Sequence, residues 1–306
     1  MPVDWTRGLP LVREAPLAAL TTWGIGGPAE YLLEPACEDE LVRAIGAARA
    51  AGVPVHVIGR GSNILVDDKG VAGLVVVLRK SLGSILLDVE TGVVVAAAGA
   101  PVQRIANRAA RVGVGGFEFL IAIPGSLGGA IAMNAGLGGR EGRSIRDVFV
   151  SARVLQPDGA VTVLSSEACR FRYRGSKISD CGDTVLSATL QGSPGRAPVV
   201  LLADHAAIRE RRALRQPKNR RTSGSVFKQP PDHKPAGWLV DQSGLKGARV
   251  GDAMISLVHA NWIENLGSAT AADVRSLMAS AQDAVFARFG VWLEPEVRML
   301  PETQER

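Results

Sequence analysis

Between Ile123 and Gly136 the sequence reads IPGSLGGAIAMNAG, with four glycines in fourteen residues. Glycine weakens a helix by about 0.5–1 kcal/mol relative to alanine and weakens strand interiors too, so few core elements tolerate this density. Backbone laid close against something flat or polyanionic explains the segment better than packing does. A second loop, Gly59-Arg60-Gly61-Ser62-Asn63, directly follows the apolar run PVHVI. Glycine there lets backbone N–H groups point into a concavity, and such nests hold phosphates. Alone the pattern also fits an ordinary tight turn, being neither GxGxxG nor a P-loop. Two such loops in one region point to a dinucleotide gripped at its pyrophosphate and elsewhere.

The 306 residues exceed the ~250–300 at which single cores stop growing, so two or three subdomains are expected. A hydrophobic fraction of 46% with 21% charged excludes a disordered chain. The net charge of +5 suits an anionic small substrate, and aromatics at 5%, with only Tyr31 and Tyr173 as tyrosines, argue against base-stacking platforms and a nucleic-acid partner. Cys37, Cys169 and Cys181 are odd in number and lack CxxC spacing. They read as reduced thiols, with no zinc site, no other metal and no disulfide framework. The N-terminus lacks a basic region followed by an apolar run, and the longest apolar runs are too short to span a bilayer. A cytoplasmic protein without a membrane partner is expected.

Along the chain, AEYLLEP predicts a strand and EDELVRAIGAARAAG a helix burying Leu41, Val42, Ile45, Ala48 and Ala51. PVHVIG, ILVDD and GLVVVL complete a β-α-β opening. From Ile85 to about Leu190 short apolar runs broken by glycine surround one helix, VQRIANRAARVG, and Pro157-Asp158-Gly159 marks a hairpin. Asp204 to Asn219 reads as a basic helical connector, and another helix begins near Pro235. In the last helix, Thr270 and Asp273 have capping-box spacing, Val274, Leu277, Met278, Ala281 and Val285 form one stripe, and Gly290 ends it. VWLEPEVRML then reads as a closing strand.

Several polar clusters could carry chemistry. In Cys169-Arg170-Phe171-Arg172-Tyr173-Arg174-Gly175-Ser176 the arginine forks suit a carboxylate or phosphate, or simply a solvated charged strand. The basic run Arg209, Arg211, Arg212, Arg215, Lys218, Arg220 and Arg221 is a solvated helix face, a nucleic-acid patch or a diphosphate site. It precedes Thr222-Ser223-Gly224-Ser225-Val226-Phe227-Lys228. Ser225 could be a nucleophile, yet none of His56, His205, His233 or His259 stands at a recognisable triad spacing. Side-chain alternation puts Glu294, Glu296 and Arg298 on one face of the final strand, as an exposed polar face or a proton relay.

The joint order of these segments resembles the UDP-N-acetylenolpyruvoylglucosamine reductase (MurB) family of flavoenzymes. The resemblance runs from Leu20 to Met299. It is carried by Leu20-Thr21-Thr22 through Gly26-Gly27-Pro28-Ala29, GRGSNILV, GFEFLIAIPGSLGGAIAMNAG, FRYRGS, RRALRQP, SGSVFKQP, AGWLVDQSGLKG, GDAMISLVHANWIEN and LEPEVR. It implies an α+β fold in which two FAD-binding subdomains of the vanillyl-alcohol-oxidase (PCMH) type, 1–82 (the β-α-β unit) and 83–203, precede a small α/β substrate-binding domain, 204–306.

By the same resemblance, FAD is held non-covalently by Gly59, Arg60, Gly61, Ser62, Asn63, Ile64, Pro124, Gly125, Ser126, Gly128, Gly129, Asn134, Ala135 and Tyr173. NADPH reduces the flavin, whose N5 then passes hydride to the enolpyruvyl ether of a UDP-sugar, a step of peptidoglycan precursor synthesis. Ser225 is the implied proton donor, and Arg174 and Glu296 attend the carboxylate end. Glu296 is preferred to Glu294 because the motif glutamate follows proline. Arg215, where the family usually has lysine, Lys228, Gln229, His259 and Asn261 are the implied substrate contacts.

Ala122 departs from the usual glycine, Leu137-Gly138-Gly139-Arg140 from the usual Ala-Tyr-Gly, and Gln229 from the usual asparagine. Two tyrosines leave no tyrosine-bearing lid loop, so the likeness is to the shorter, loop-less subclass, here expected to be a monomer. Competing readings are a paralogue acting on another nucleotide sugar and a non-catalytic nucleotide-binding module.

Overall fold

The computed structural model describes residues 4–79, 82–217 and 221–301. Its chain divides into two compact units. The first comprises the described residues up to Leu11, with Leu33–Arg60 and Leu74–Arg212. The second comprises Val12–Leu32, Gly61–Gly73 and the described residues from Ala213 onward.

The first unit is organised by a five-stranded antiparallel sheet in the order Val161–Ser165, Phe149–Leu155, Thr184–Gln191, Val93–Ala97, Ile85–Leu87. Thr184–Gln191 is central, and five of its eight residues are buried. The hairpin at Pro157–Gly159 forms as read, with Gly159 at φ +90° and Gln156 N–H bonded to Ala160 O at 2.8 Å. Helix Val102–Arg111 buries Val102, Ile105, Ala106, Ala109 and Ala110, the spacing of one helical face. Its outer face is basic, and Arg108 reaches Ile85 O at 2.8 Å. A parallel pair, Val55↔Leu74 to Ile58↔Val77, lies beside helix Glu38–Ala50. That helix buries Leu41, Ala44, Ile45 and Ala48. Of the predicted face, Val42 is only half-buried and Ala51 falls outside the helix, exposed.

In the second unit, Val12–Pro16 and Pro28–Leu33 pair antiparallel, as do Arg249–Val250, Ala253–Ile255 and Ile263–Asn265. Arg298–Leu300 pairs in parallel with Ile64–Val66. Trp23 is fully buried and donates its indole N–H to Ile263 O at 2.9 Å. The last helix, Ala271–Phe289, has the expected capping box between Thr270 and Asp273, the expected buried stripe, and Gly290 left-handed at φ +66°. Its first turn has a further cap that sequence does not reveal. The Asp68 carboxylate accepts Ala271 N–H at 2.7 Å and Ala272 N–H at 3.0 Å.

The closing strand is shorter than predicted, only Arg298–Leu300. Residues 291–297 form no ladder, only an isolated antiparallel bridge between Pro295 and Phe227. Glu294, Glu296 and Arg298 therefore do not share a strand face. The predicted helical connector is the end of helix Pro198–Ala213, and Lys218, Asn219 and Arg220 lie outside the described residues. Among the described residues no helix is long and apolar enough to cross a membrane. Burial pushes the Cys169 thiol up to about 11, which keeps it protonated, whereas Cys37 and Cys181 are exposed thiols.

Because Asp68 supplies two hydrogen bonds and a negative charge at a helix start, Asp68→Ala should lower unfolding free energy by about 1–2 kcal/mol in urea titrations. Asp68→Asn should lose about half of that.

Candidate active site

In the first unit Gly59 and Arg60 end the strand Val55–Ile58, and Gly59 meets the second glycine-rich segment directly. A Cβ built on Gly59 would lie 2.0 Å from Ser126 Oγ. Any larger residue there would force the Ser126 side chain to move. The 3₁₀ turn Glu118–Ala122 leads into this segment, and its carbonyls are held from outside: Ile121 O by Gln103 Nε2 at 3.1 Å, Ala122 O by the Arg212 guanidinium, and Gly125 O by Val102 N at 3.2 Å. Burial pushes the Arg212 pKa down, but a guanidinium remains charged.

The glycine text does not remain a loop throughout. Leu127–Ala132 is a short helix, with Ser126 buried at its start. Leu127 N–H bonds Ala100 O and Gly128 N–H bonds Ala98 O, both at 2.8 Å. Gly128 thus packs against Ala98 and Val185, while Gly129 is exposed, and a Cβ there would meet only Ser126 Oγ, at 3.5 Å. Pro124 is exposed, and Gly125 and Ala135 are half-buried.

Asn134 joins this segment to the arginine-rich one. It is buried and left-handed at φ +41°, a conformation asparagine tolerates better than most residues. Its Nδ2 donates to Arg172 O at 2.9 Å, and its Oδ1 accepts Arg146 N–H at 3.1 Å. The Cys169–Ser176 segment is not a charged strand. Arg170 (φ +44°) and Arg174 (φ +56°) are left-handed, and Arg172 and Gly175 exchange backbone hydrogen bonds across a tight turn. Tyr173 and Arg174 sit at its tip. Arg174 Nη2 reaches Gly136 O at 3.3 Å, and its guanidinium carbon lies 4.9 Å from the Tyr173 ring centroid. The exposed Arg172 forms a bidentate pair with Asp180 at 2.8 and 2.6 Å.

In the second unit Gly61 (φ +61°) packs so closely that a Cβ would lie 2.0 Å from Leu20 O, and Thr22 N–H bonds Gly61 O at 3.0 Å. Ser62 is half-buried, and Ile64 opens the strand Ile64–Val66. Asn63 Nδ2 donates to Glu296 O, and Arg298 N–H to Asn63 O, each at 3.0 Å.

The 225–228 stretch lies between two partners. Val226 N–H bonds Asn261 O at 2.9 Å, Glu296 N–H bonds Val226 O at 2.8 Å, and Lys228 N–H bonds Glu294 O at 2.8 Å. Ser225, half-buried, is therefore one residue from the backbone link to Glu296. The buried Asn261 side chain accepts Phe227 N–H at 3.0 Å and donates to Phe227 O at 2.8 Å. Asn261 N–H donates to His259 Nδ1 at 3.2 Å. Burial, foremost, pushes the His259 pKa down, leaving the neutral ring that an accepting Nδ1 requires. Lys228 is ion-paired with the exposed Glu294, whereas Glu296 is half-buried. Gln229 is half-buried and Arg215 exposed.

Sequence reading placed Arg212 only in a basic run and missed its hold on Ala122 O, as it missed the Asn134 and Asn261 bridges and the support of Gly61 by Leu20–Thr22. No local signal marks the first three. For the last, Leu20-Thr21-Thr22 was visible as part of the resemblance but carried no role.

Small residues forced into close backbone contact, with an exposed Gly129 and a neighbouring tyrosine–arginine turn, fit an extended dinucleotide bearing a flat ring. Residues 29–165 match a family model described as an FAD binding domain, and the fold is an α+β FAD-binding fold. That places the chain in the class of FAD-dependent oxidoreductases. Residues 216–300 match the UDP-N-acetylenolpyruvoylglucosamine reductase C-terminal domain. Reductases of that name from Synechococcus sp. (strain JA-3-3Ab) and Gloeobacter violaceus are 44% and 40% identical over 285 and 284 residues. Each alignment covers 93% of this chain, and 89% and 94% of the respective relative. The crystal structure of the Thermus caldophilus reductase superposes with a TM-score of 0.77 at 37% identity, covering 95% of this chain and 98% of that one. The chain belongs to the UDP-N-acetylenolpyruvoylglucosamine reductase family.

Two outcomes are expected. Gly59→Ala should weaken FAD binding by more than about tenfold (1.4 kcal/mol) in fluorescence titration. Adding Ser126→Gly, which removes the colliding hydroxyl, should restore much of the loss. Because the folded-state pKa of His259 is lowered, the unfolded chain binds the extra proton first as pH falls below the ordinary 6.5. Its contribution to stability is complete above that value and is lost toward more acid pH. Urea midpoints should thus decline less between pH 7.5 and 5.5 in His259→Asn than in the wild type.

Proposed function

We propose that this chain reduces the enolpyruvyl ether of UDP-N-acetylenolpyruvoylglucosamine to the lactyl ether of UDP-N-acetylmuramate with NADPH, as a cytoplasmic monomer. When bound, FAD would supply the hydride-transfer chemistry between NADPH and the enolpyruvyl methylene carbon. The residues that would hold it are Gly59 to Ile64, Pro124 to Ser126, Gly128, Gly129, Asn134, Ala135 and Tyr173.

The protein's own contribution is to charge and protons. As the methylene carbon gains hydride, negative charge builds on the adjacent carbon and its carboxylate. Arg174 is the cation for that carboxylate. A fixed cation is most effective where charge appears only as the reaction proceeds. Ser225 Oγ holds the proton that the adjacent carbon then takes. A serine hydroxyl is a weak acid, so it serves only a strongly basic acceptor such as this one. Glu296 assists at the carboxylate end or returns the proton to Ser225. Arg215, Lys228, Gln229, His259 and Asn261 are the substrate contacts. For Lys228 this means exchanging its ion pair with Glu294 for the ligand.

The observation that carries this reading is the backbone pairing of the Ser225–Lys228 stretch with Glu294–Glu296 on one side and Asn261 on the other. It brings the proposed donor, carboxylate and substrate contacts onto adjacent strands of chain. Anaerobic stopped-flow assays test it. Ser225→Ala should leave flavin reduction by NADPH within about twofold of wild type and slow reoxidation by the enolpyruvyl substrate by at least about 10³-fold (roughly 4 kcal/mol). Equal slowing of both phases would remove Ser225 from the role. Glu296→Gln should impair reoxidation far more than Glu294→Gln.

A further inference from the structure

The segment Leu137-Gly138-Gly139-Arg140, where this chain departs from its family's usual text, forms part of a short hairpin in the first unit. Gly136–Leu137 pairs with Arg143–Ser144, and residues 138–142 make the tip. Gly138 and Gly139 have φ of +95° and +76°, and a Cβ on Gly142 would lie 1.9 Å from Leu137 O. Three of the five tip residues are thus glycine, and the side chains carried there are those of Arg140 and Glu141. Arg140 is exposed, and its guanidinium carbon lies 4.5 Å from the Tyr173 ring centroid. The same ring has the Arg174 guanidinium carbon at 4.9 Å, and Arg174 also bonds Gly136 O at the foot of the hairpin.

Two like charges gathered around one phenol repel each other, and the ring's negative face offsets this by about 0.5–2 kcal/mol per cation. Such a pair is suited to a ligand that brings two anionic groups. If Arg174 takes the carboxylate, as in the reading above on which this inference rests, Arg140 can meet the ligand's other anion by exchanging its present contacts for it. We propose that Arg140 recognises a phosphate of the bound ligand and is a specificity-determining residue of this enzyme. Phosphate enters the reaction from two sources, the diphosphate of the UDP-sugar and the phosphates of NADPH. In a chain with no tyrosine-bearing lid, Arg140 supplies the phosphate contact from the hairpin.

Calorimetry on the FAD-loaded protein, with UDP and NADP⁺ as probes, tests this without turnover. Arg140→Met keeps an apolar stem against Tyr173 and removes the charge. It should weaken UDP about tenfold, and flatten the dependence of UDP affinity on ionic strength, with Arg140→Lys between it and wild type. Weakening of NADP⁺ in place of UDP also supports phosphate recognition and identifies the nicotinamide nucleotide as its source. Unchanged affinity for both probes in Arg140→Met and Arg140→Gln, with the flavin spectrum intact, overturns the proposal. Stopped flow separates it from the functional reading. If Arg174→Lys slows reoxidation while Arg140→Met leaves both ligands untouched, this inference alone fails. If the wild type does not turn over, the functional reading fails, and the UDP titration still decides the role of Arg140.

Discussion

The glycine-bearing loops are fixed by van der Waals contact at two points where an added methyl group would force a neighbour to move. Gly59 faces Ser126 Oγ and Gly61 faces Leu20 O, each at 2.0 Å from an imagined Cβ. At such separations the chain segments locate each other by repulsion, which is steeper than any attractive contact. The loops are consequently shaped from beneath, and their outer surface is backbone. A ligand of fixed shape needs that kind of support, because a flexible loop would lose affinity to ordering entropy.

Two buried asparagines extend the same logic to side chains. Asn134 and Asn261 each use an amide N–H and an amide oxygen, one on two separate turns and the other on both polar groups of Phe227. An amide carries both a donor and an acceptor, which a carboxylate or a lysine does not. Each net hydrogen bond contributes only about 1 kcal/mol, but an orphaned buried partner costs about 1–3 kcal/mol, so alternative turn geometries are penalised more than the native one is favoured. That asymmetry keeps Arg174 and Ser225 in place on segments with little regular secondary structure.

What could be read beforehand follows from the range of the forces involved. The final helix was legible because its cap, stripe and terminating glycine lie within its own twenty residues. The Pro157–Gly159 hairpin was legible for the same reason. Val291, Leu293 and Val297 alternate like a strand because they are buried in the second unit's core, but burial alone does not make a ladder. The left-handed turns at Arg170 and Arg174 escaped notice because arginine does not advertise positive φ as glycine does. Arg212 and Asp68 act on partners 90 and 203 residues away, and nothing near either residue announces that reach.

The indole of Trp23 has its hydrogen-bond acceptor 240 positions downstream, at Ile263. A ribosome adding about 5–20 residues per second separates the emergence of the two by roughly 12–48 s. Throughout that interval the N-terminal hairpin has no core to enter, and a large aromatic surface stays wet. The second unit therefore assembles only after Ile263 and its neighbours have been made, later than the strands of the first unit. The nascent chain is a natural client for holding chaperones, and C-terminal truncations should release Trp23 to solvent before they disturb the five-stranded sheet.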